Sequence, residues 1–127
     1  MASILIVDDS SAMRTVIKRI LEMSGFEMET CLYACDGEDA LSTLRRQPVD
    51  LVISDINMPR MDGEALLREM SADPALSGIP VVMVSSDATE SRSAKLLGLG
   101  AKAYLVKPFQ PQALREKLEE VLEGIHA

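Results

Sequence analysis

Apolar residues along this chain follow two alternating rhythms. Four short runs, Ile4-Leu5-Ile6-Val7, Leu51-Val52-Ile53, Val81-Val82-Met83-Val84 and Tyr104-Leu105-Val106, are too short for helices and fit strands buried on both faces. A weaker strand is predicted over residues 30–34. Between the strands the spacing becomes helical. Met13, Ile17, Ile20, Leu21 and Ser24 share one face, with Val16 beside them, after Asp8-Asp9-Ser10-Ser11, which offers several N-caps; Ser24-Gly25 ends that helix. Asp36-Gly37 turns into a second helix with Ala40, Leu41 and Leu44 inward, ending before Pro48. Asp62-Gly63 opens a third, carrying Leu66, Leu67 and Met70, and Asp73-Pro74 with Ser77-Gly78 marks its exit. A fourth, residues 89–97, has only a thin apolar stripe between Ser91, Arg92, Ser93 and Lys95, and is expected to be mobile. The last runs from Pro111, a favoured first-turn residue, through Leu114, Leu118, Val121 and Leu122 to Gly124. Five strands alternating with five helices predict an α/β fold, a parallel sheet with helices on both faces and right-handed crossovers.

Each strong run ends in a polar group. The first meets Asp8-Asp9, the second Asp55, the third Ser85-Ser86 and the fourth Lys107-Pro108. In a parallel sheet these ends share one edge, where open α/β folds place ligand sites. Asp8, Asp9, Asp55, Ser85 and Lys107 are therefore expected in one pocket.

At 127 residues the chain fits one domain, residues 1–127, with no room for a second. Only three residues follow Gly124, which leaves no tail or linker in the sequence and favours a freestanding protein over a piece of a larger one. A formal net charge of -7 argues against direct binding to nucleic acid and favours a basic protein partner or a cation. No apolar run approaches a membrane span, and Met1-Ala2-Ser3 leads into a strand without a signal-peptide core, so no membrane insertion and a cytoplasmic location are expected. Cys31 and Cys35, four residues apart in an extended segment, would have Cα atoms about 13 Å apart, too far for a disulfide. Free thiols follow. The one histidine, His126, is remote from both, so zinc is not expected.

Singly, each polar residue has an ordinary explanation: Asp8 or Asp9 would cap the first helix, Asp62 the third, and Ser85 or Ser86 would start a turn. Together they pose an electrostatic problem. Two ionised carboxylates about 4 Å apart repel by roughly 4 kcal/mol at an effective dielectric near 20, against a net domain stability of about 5–15 kcal/mol. Lys107 supplies one positive charge. A hard divalent ion with oxygen ligands, Mg²⁺, would supply the rest. A metal, a lysine and a hydroxyl beside a carboxylate suit phosphoryl transfer, with Asp55 at the end of the central strand as the nucleophile.

In order and spacing, Asp8-Asp9, Asp36-Gly37, Asp55, Met58-Pro59, Asp62-Gly63, Ser85, Tyr104 and Lys107-Pro108-Phe109 resemble the response-regulator receiver domain over essentially the whole chain. The stretch DDSSAMR further resembles the stand-alone chemotaxis-type members. The resemblance implies a flavodoxin-like strand order, 2-1-3-4-5, which is the order general to this fold. It implies a two-component signalling switch in which Asp55 accepts a phosphoryl group from the phosphohistidine of a sensor histidine kinase or phosphotransfer protein. Asp9, Asp55 and the Asn57 carbonyl would coordinate Mg²⁺, with Asp8 helping through water. Lys107 would contact the phosphoryl oxygens and Ser85 would swing toward them. Tyr104 would turn inward, remodelling the face of the fourth helix, fifth strand and fifth helix for a downstream protein. No separate metabolite would be turned over.

Three departures accompany the resemblance. Between Phe26 and Gly37 the chain is about two residues longer than many relatives, which predicts a longer loop at residues 27–29. Ser85 stands where many have threonine. Asn57 and Asp87 flank the phosphoryl site and are expected to set how readily water attacks. The main rival is a Mg²⁺-dependent phosphatase with an aspartyl nucleophile; haloacid-dehalogenase-like members carry a second acid two residues on, where this chain has Asn57. A flavin-phosphate binder is disfavoured by two acids where a phosphate loop would lie. A docking-only module would have an incomplete acid set, and here the set is complete.

Overall fold

The computed structural model describes the backbone of residues 2–25 and 27–126, with side chains over residues 3–25 and 27–121. Among these residues the order is β1 (Ala2–Val7), α1 (Ser11–Met23), β2 (Met28–Ala34), α2 (Gly37–Arg46), β3 (Leu51–Asp55), α3 (Gly63–Ala72), β4 (Val81–Ser85), α4 (Glu90–Gly98), β5 (Ala103–Val106) and α5 (Pro111–His126). All strand pairs are parallel, in the order β2-β1-β3-β4-β5. No helix among the described residues is long and apolar enough to cross a membrane.

The period of two along each strand divides the core. Ile4, Ile6, Leu51, Ile53, Val82, Val84, Ala103 and Leu105 face α1 and α5, where Ile17, Leu21, Leu114 and Leu118 meet them. Leu5, Val7, Val52, Val81 and Met83 face the other way, onto Leu41 and Leu44 of α2, Leu66, Leu67 and Met70 of α3, and Leu96 of α4. Burial on both faces explains why β1, β3 and β4 read as unbroken apolar runs. Leu122 and Phe26 have side chains outside the described residues.

The caps of α1, α2 and α3 are short polar side chains, as the residue pattern predicts. Of the candidates in Asp8-Asp9-Ser10-Ser11, Ser10 caps α1, its hydroxyl accepting the Met13 N–H at 3.2 Å. Asp36 and Asp62 cap α2 and α3 through the N–H groups of Asp39 and Ala65. The longer segment before Gly37 is also resolved differently from expectation. Ala2 pairs with Met28 and Ser3 with Thr30, so Glu29 is an extra residue taken up as a bulge in β2, with the strand already begun. α5 continues two residues past Gly124. Leu96 is the buried residue of α4, and Glu64 of α3 ties that helix down through Lys95 at 3.2 Å and Arg92 at 3.8 Å.

The strand register sets the site. Val7 pairs with Ser54 and Asp55 with Val84, while Ser85 pairs with Val106, so Asp8, Asp55, Ser85 and Lys107 fall at neighbouring strand ends on one edge. Because β1 and β3 are adjacent while the chain winds away from them in opposite directions, their carboxyl ends border the crevice at the sheet's switch point. Gly63 closes the far side. Its N–H donates to the Ile56 carbonyl at 2.7 Å, and a Cβ there would stand 2.3 Å from the Asp55 carbonyl oxygen. Gly63→Ala is accordingly expected to cost about 2–3 kcal/mol by overpacking against backbone that cannot yield. A drop in the urea midpoint with unchanged slope would bear this out; an unaltered midpoint would show that α3 can slide away from β3.

Candidate functional site

Three carboxylates converge at the carboxyl edge of the sheet. Asp8, Asp9 and Asp55 each present an oxygen such that the three oxygens lie within 4.8 Å of one another. Asp8 is 1% exposed, Asp55 half-buried and Asp9 exposed, so the cluster runs from the interior to the surface. Each acid is held differently. The Asp8 Oδ1 accepts the Ser10 N–H at 2.9 Å, and its backbone is fixed on both sides, the N–H donating to the Ala34 carbonyl at 3.0 Å and the carbonyl accepting Arg14 Nη1 at 2.7 Å. Asp55 Oδ1 accepts the Ile56 N–H at 2.8 Å.

Lys107 is the cation of this group. Its Nζ lies 3.4 Å from Asp55 Oδ1 and 3.6 Å from Asp8 Oδ2. From β5 it must reach across β4, since β3 is two strand spacings away, about 10 Å; a lysine has the length to do so. One ammonium does not balance three carboxylates. Burial pushes the Asp8 carboxyl above its ordinary range, and the neighbouring charges of Asp55 and Asp9 push the same way, against the Ser10 N–H and Lys107. Its Oδ2 is buried without a hydrogen bond among the described residues. Three convergent carboxylates, one with a buried oxygen that accepts no hydrogen bond among the described residues, are a donor set suited to a hard cation, and its all-oxygen chemistry fits Mg²⁺.

The remaining predicted residues lie around this core, in a second arrangement centred on Asp87. The buried Ser85 hydroxyl accepts the Asp87 N–H at 3.1 Å, and the Tyr104 hydroxyl donates to the Asp87 carbonyl at 2.5 Å. Tyr104 is half-buried against the α2–α4 core. Asp87 does not turn its carboxylate to the acid cluster: Oδ1 accepts both the N–H and the hydroxyl of Thr89, which hold its carboxyl below the ordinary range. Asn57 is exposed in the loop of residues 56–62. Cys31 and Cys35 are free thiols. Two arginines, Arg14 on the Asp8 carbonyl and Arg60 on Asp36, escape a reading by strand ends because neither sits at one; Arg60 reaches its partner, 24 residues away, from the middle of a loop.

Comparison with known proteins agrees with this geometry. Residues 4–119 match the response regulator receiver domain family. The chain is 41% identical over 123 residues to the chemotaxis protein CheY of Pseudomonas aeruginosa, covering 97% of this chain and 98% of that one. It is 39% identical over 122 residues to CheY-3 of Vibrio cholerae, covering 96% and 92%. Among solved structures, the Vibrio cholerae chemotaxis protein CheY4 superposes with a TM-score of 0.83 at 30% identity, over 95% of this chain and 98% of that one.

The charge imbalance gives a direct expectation. Mg²⁺ at ~100 times its dissociation constant should add about 2.7 kcal/mol to the unfolding free energy, seen as a higher melting temperature. Asp8→Asn should remove that gain and, in metal-free buffer at pH 7, make the protein about 1 kcal/mol more stable than wild type by relieving repulsion. Equal stability of the two metal-free proteins would show that the three acids are balanced without a cation.

Proposed function

The chain belongs to the response-regulator receiver family, and on that premise we propose that residues 1–127 form one receiver domain in which Asp55 is the phosphoacceptor. Receiver domains act in two-component signalling as phosphorylation switches and not as metabolic enzymes. The observation that carries the reading is the Asp55 carboxylate, flanked by Asp8 and Asp9 and paired with Lys107 at 3.4 Å.

Asp9, Asp55 and the Asn57 carbonyl would hold Mg²⁺, with Asp8 bound to it through water. The ion, when bound, neutralises charge on the phosphoryl oxygens and so lets one anion approach another. The residues of the chain do the rest. A carboxylate oxygen of Asp55 attacks phosphorus; the bond from phosphorus to the imidazole nitrogen of a donor phosphohistidine breaks, and the electron pair leaves on that imidazole. Lys107 follows the developing charge, exchanging its contact with Asp55 Oδ1 for a phosphoryl oxygen. The donor is a sensor histidine kinase or phosphotransfer protein in the cytoplasm.

Asp87 supports a switch. Both of its backbone polar groups are held, the N–H by Ser85 and the carbonyl by Tyr104, so a Ser85 hydroxyl that turns to donate to a phosphoryl oxygen gives up the Asp87 N–H and frees the residue that Tyr104 holds. A covalent phosphoryl group makes these contacts in one state only, which is what biases a two-state equilibrium. Tyr104 lines a recess of about 300 Å³ with Leu97, Val106, Lys102 and Lys117, on the face of α4, β5 and α5. Leu97 and Val106 are exposed apolar residues there, and a downstream protein would bind this face.

Intact mass after incubation with acetyl phosphate tests the reading. We expect a single phosphoryl adduct that requires Mg²⁺ and is absent in Asp55→Asn. An adduct independent of the metal or retained in that variant would overturn it.

A further inference from the structure

The loop of residues 56–62 carries Asn57, yet its exposed segment is closed internally only by short contacts: the Met61 N–H to the Pro59 carbonyl and the Gly63 N–H to the Ile56 carbonyl, each 2.7 Å. What anchors its middle comes from elsewhere. Arg60 has φ of 63°, a left-handed conformation that glycine adopts without strain and arginine does not. Its side chain is 62% exposed, but the guanidinium is bound: Nε donates to Asp36 Oδ2 at 2.6 Å, Nη2 pairs with the same oxygen, and Nη2 lies 3.6 Å from Cys35 Sγ. The Asp36 side chain is 0% exposed, and Arg60 is its ion-pair partner among the described residues. Beside this pair, Gly37 donates its N–H to the Met61 carbonyl at 2.9 Å; a Cβ on Gly37 would stand 2.5 Å from Met61 Cγ, so the close approach needs glycine.

The corner of residues 34–37 is thus bonded both to Asp8 of the acid cluster and to the β3–α3 loop. Ala34 accepts the Asp8 N–H, while Asp36 and Gly37 hold Arg60 and Met61. We propose that Arg60, through Asp36, is a positioning residue for the metal site, clasping the β3–α3 loop to the β2–α2 corner so that the Asn57 carbonyl stands at a fixed place relative to Asp9 and Asp55. The inference rests on the reading of the acid cluster as a Mg²⁺ site. Burial alone would raise the Asp36 carboxyl, but the Asp39 N–H and Arg60 outweigh it and hold it below the ordinary range, so the pair stays ionised at neutral pH. Groups behind metal ligands typically change affinity by about 10- to 100-fold when removed.

The test is Mg²⁺ titration calorimetry at constant ionic strength on the full chain, wild type against Arg60→Gln, Arg60→Gly and Arg60→Lys, with urea midpoints measured in parallel. Removing a cation near an acid cluster would, by charge alone, tighten Mg²⁺ binding. Loss of positioning predicts the opposite sign: about tenfold weaker binding in Arg60→Gln and in Arg60→Gly, the latter despite its suitability for the backbone angle, with partial recovery in Arg60→Lys. The phosphoryl adduct from acetyl phosphate should still reach the wild-type level once Mg²⁺ saturates. Unchanged or tighter binding in Arg60→Gln, with Mg²⁺ binding intact in the wild type, overturns the positioning role and leaves the proposed function standing. A wild type that binds no Mg²⁺ overturns both. Weaker binding in Arg60→Gln together with no adduct in any protein supports the positioning role and removes the phosphoryl reading alone.

Discussion

Repulsion among Asp8, Asp9 and Asp55 is the constraint on which the rest of this molecule depends. Among the described residues, three carboxylates with oxygens within 4.8 Å face one ammonium, and one of their oxygens is buried without a hydrogen bond. Packing alone would not select such a group, since each uncompensated carboxylate pair costs a sizeable share of a small domain's net stability. The fold therefore stores a demand for positive charge at one point on its surface. In the proposed reading a divalent ion would meet part of that demand and, with Lys107, offset the charge of an incoming phosphoryl group.

The sheet makes the cluster unavoidable. With β1 next to β3, the residues that follow two fully buried strands must emerge side by side, and here both strands are followed or closed by aspartate. The helices on either face keep those strands from shifting, and Gly63 lets α3 start directly against the end of β3. Ser85 and Lys107 arrive from β4 and β5 by the same logic, one strand further each. The acids thus lie at the ends of the paired strands β1 and β3. The Asp87 turn and α4 are held instead by hydrogen bonds and by ion pairs to Glu64, with Leu96 as the buried residue of that helix.

Much of this was legible in the residue pattern. Unbroken apolar runs identified β1, β3, β4 and β5, and their polar endings identified the acid cluster and Lys107, because strand ends and ligand edge coincide in a parallel sheet. Features set by distant pairing were not legible. The bulge at Glu29 depends on how β2 meets β1, so a longer segment read as a loop. Which residue of Asp8-Asp9-Ser10-Ser11 caps α1 stayed open in the pattern; Ser10 does, with Asp8 and Asp9 in the acid cluster. Asp87, read as a neighbour of the phosphoryl site, spends its carboxylate on Thr89. Arg60 carries no periodic signal at all; its partner is 24 residues away and its backbone angle is one that no pattern assigns to arginine.

The most direct measurement is the chemical location of the phosphoryl group. Borohydride reduction of an aspartyl phosphate converts that residue to homoserine, which peptide mass mapping can place. Reduction of the acetyl phosphate-treated protein should yield homoserine at position 55, with Asp8 and Asp9 unmodified. Homoserine at position 8 or 9, or a phosphoryl group on a hydroxyl or imidazole, would contradict an account in which Asp55 receives the group and its two acidic neighbours hold the cation.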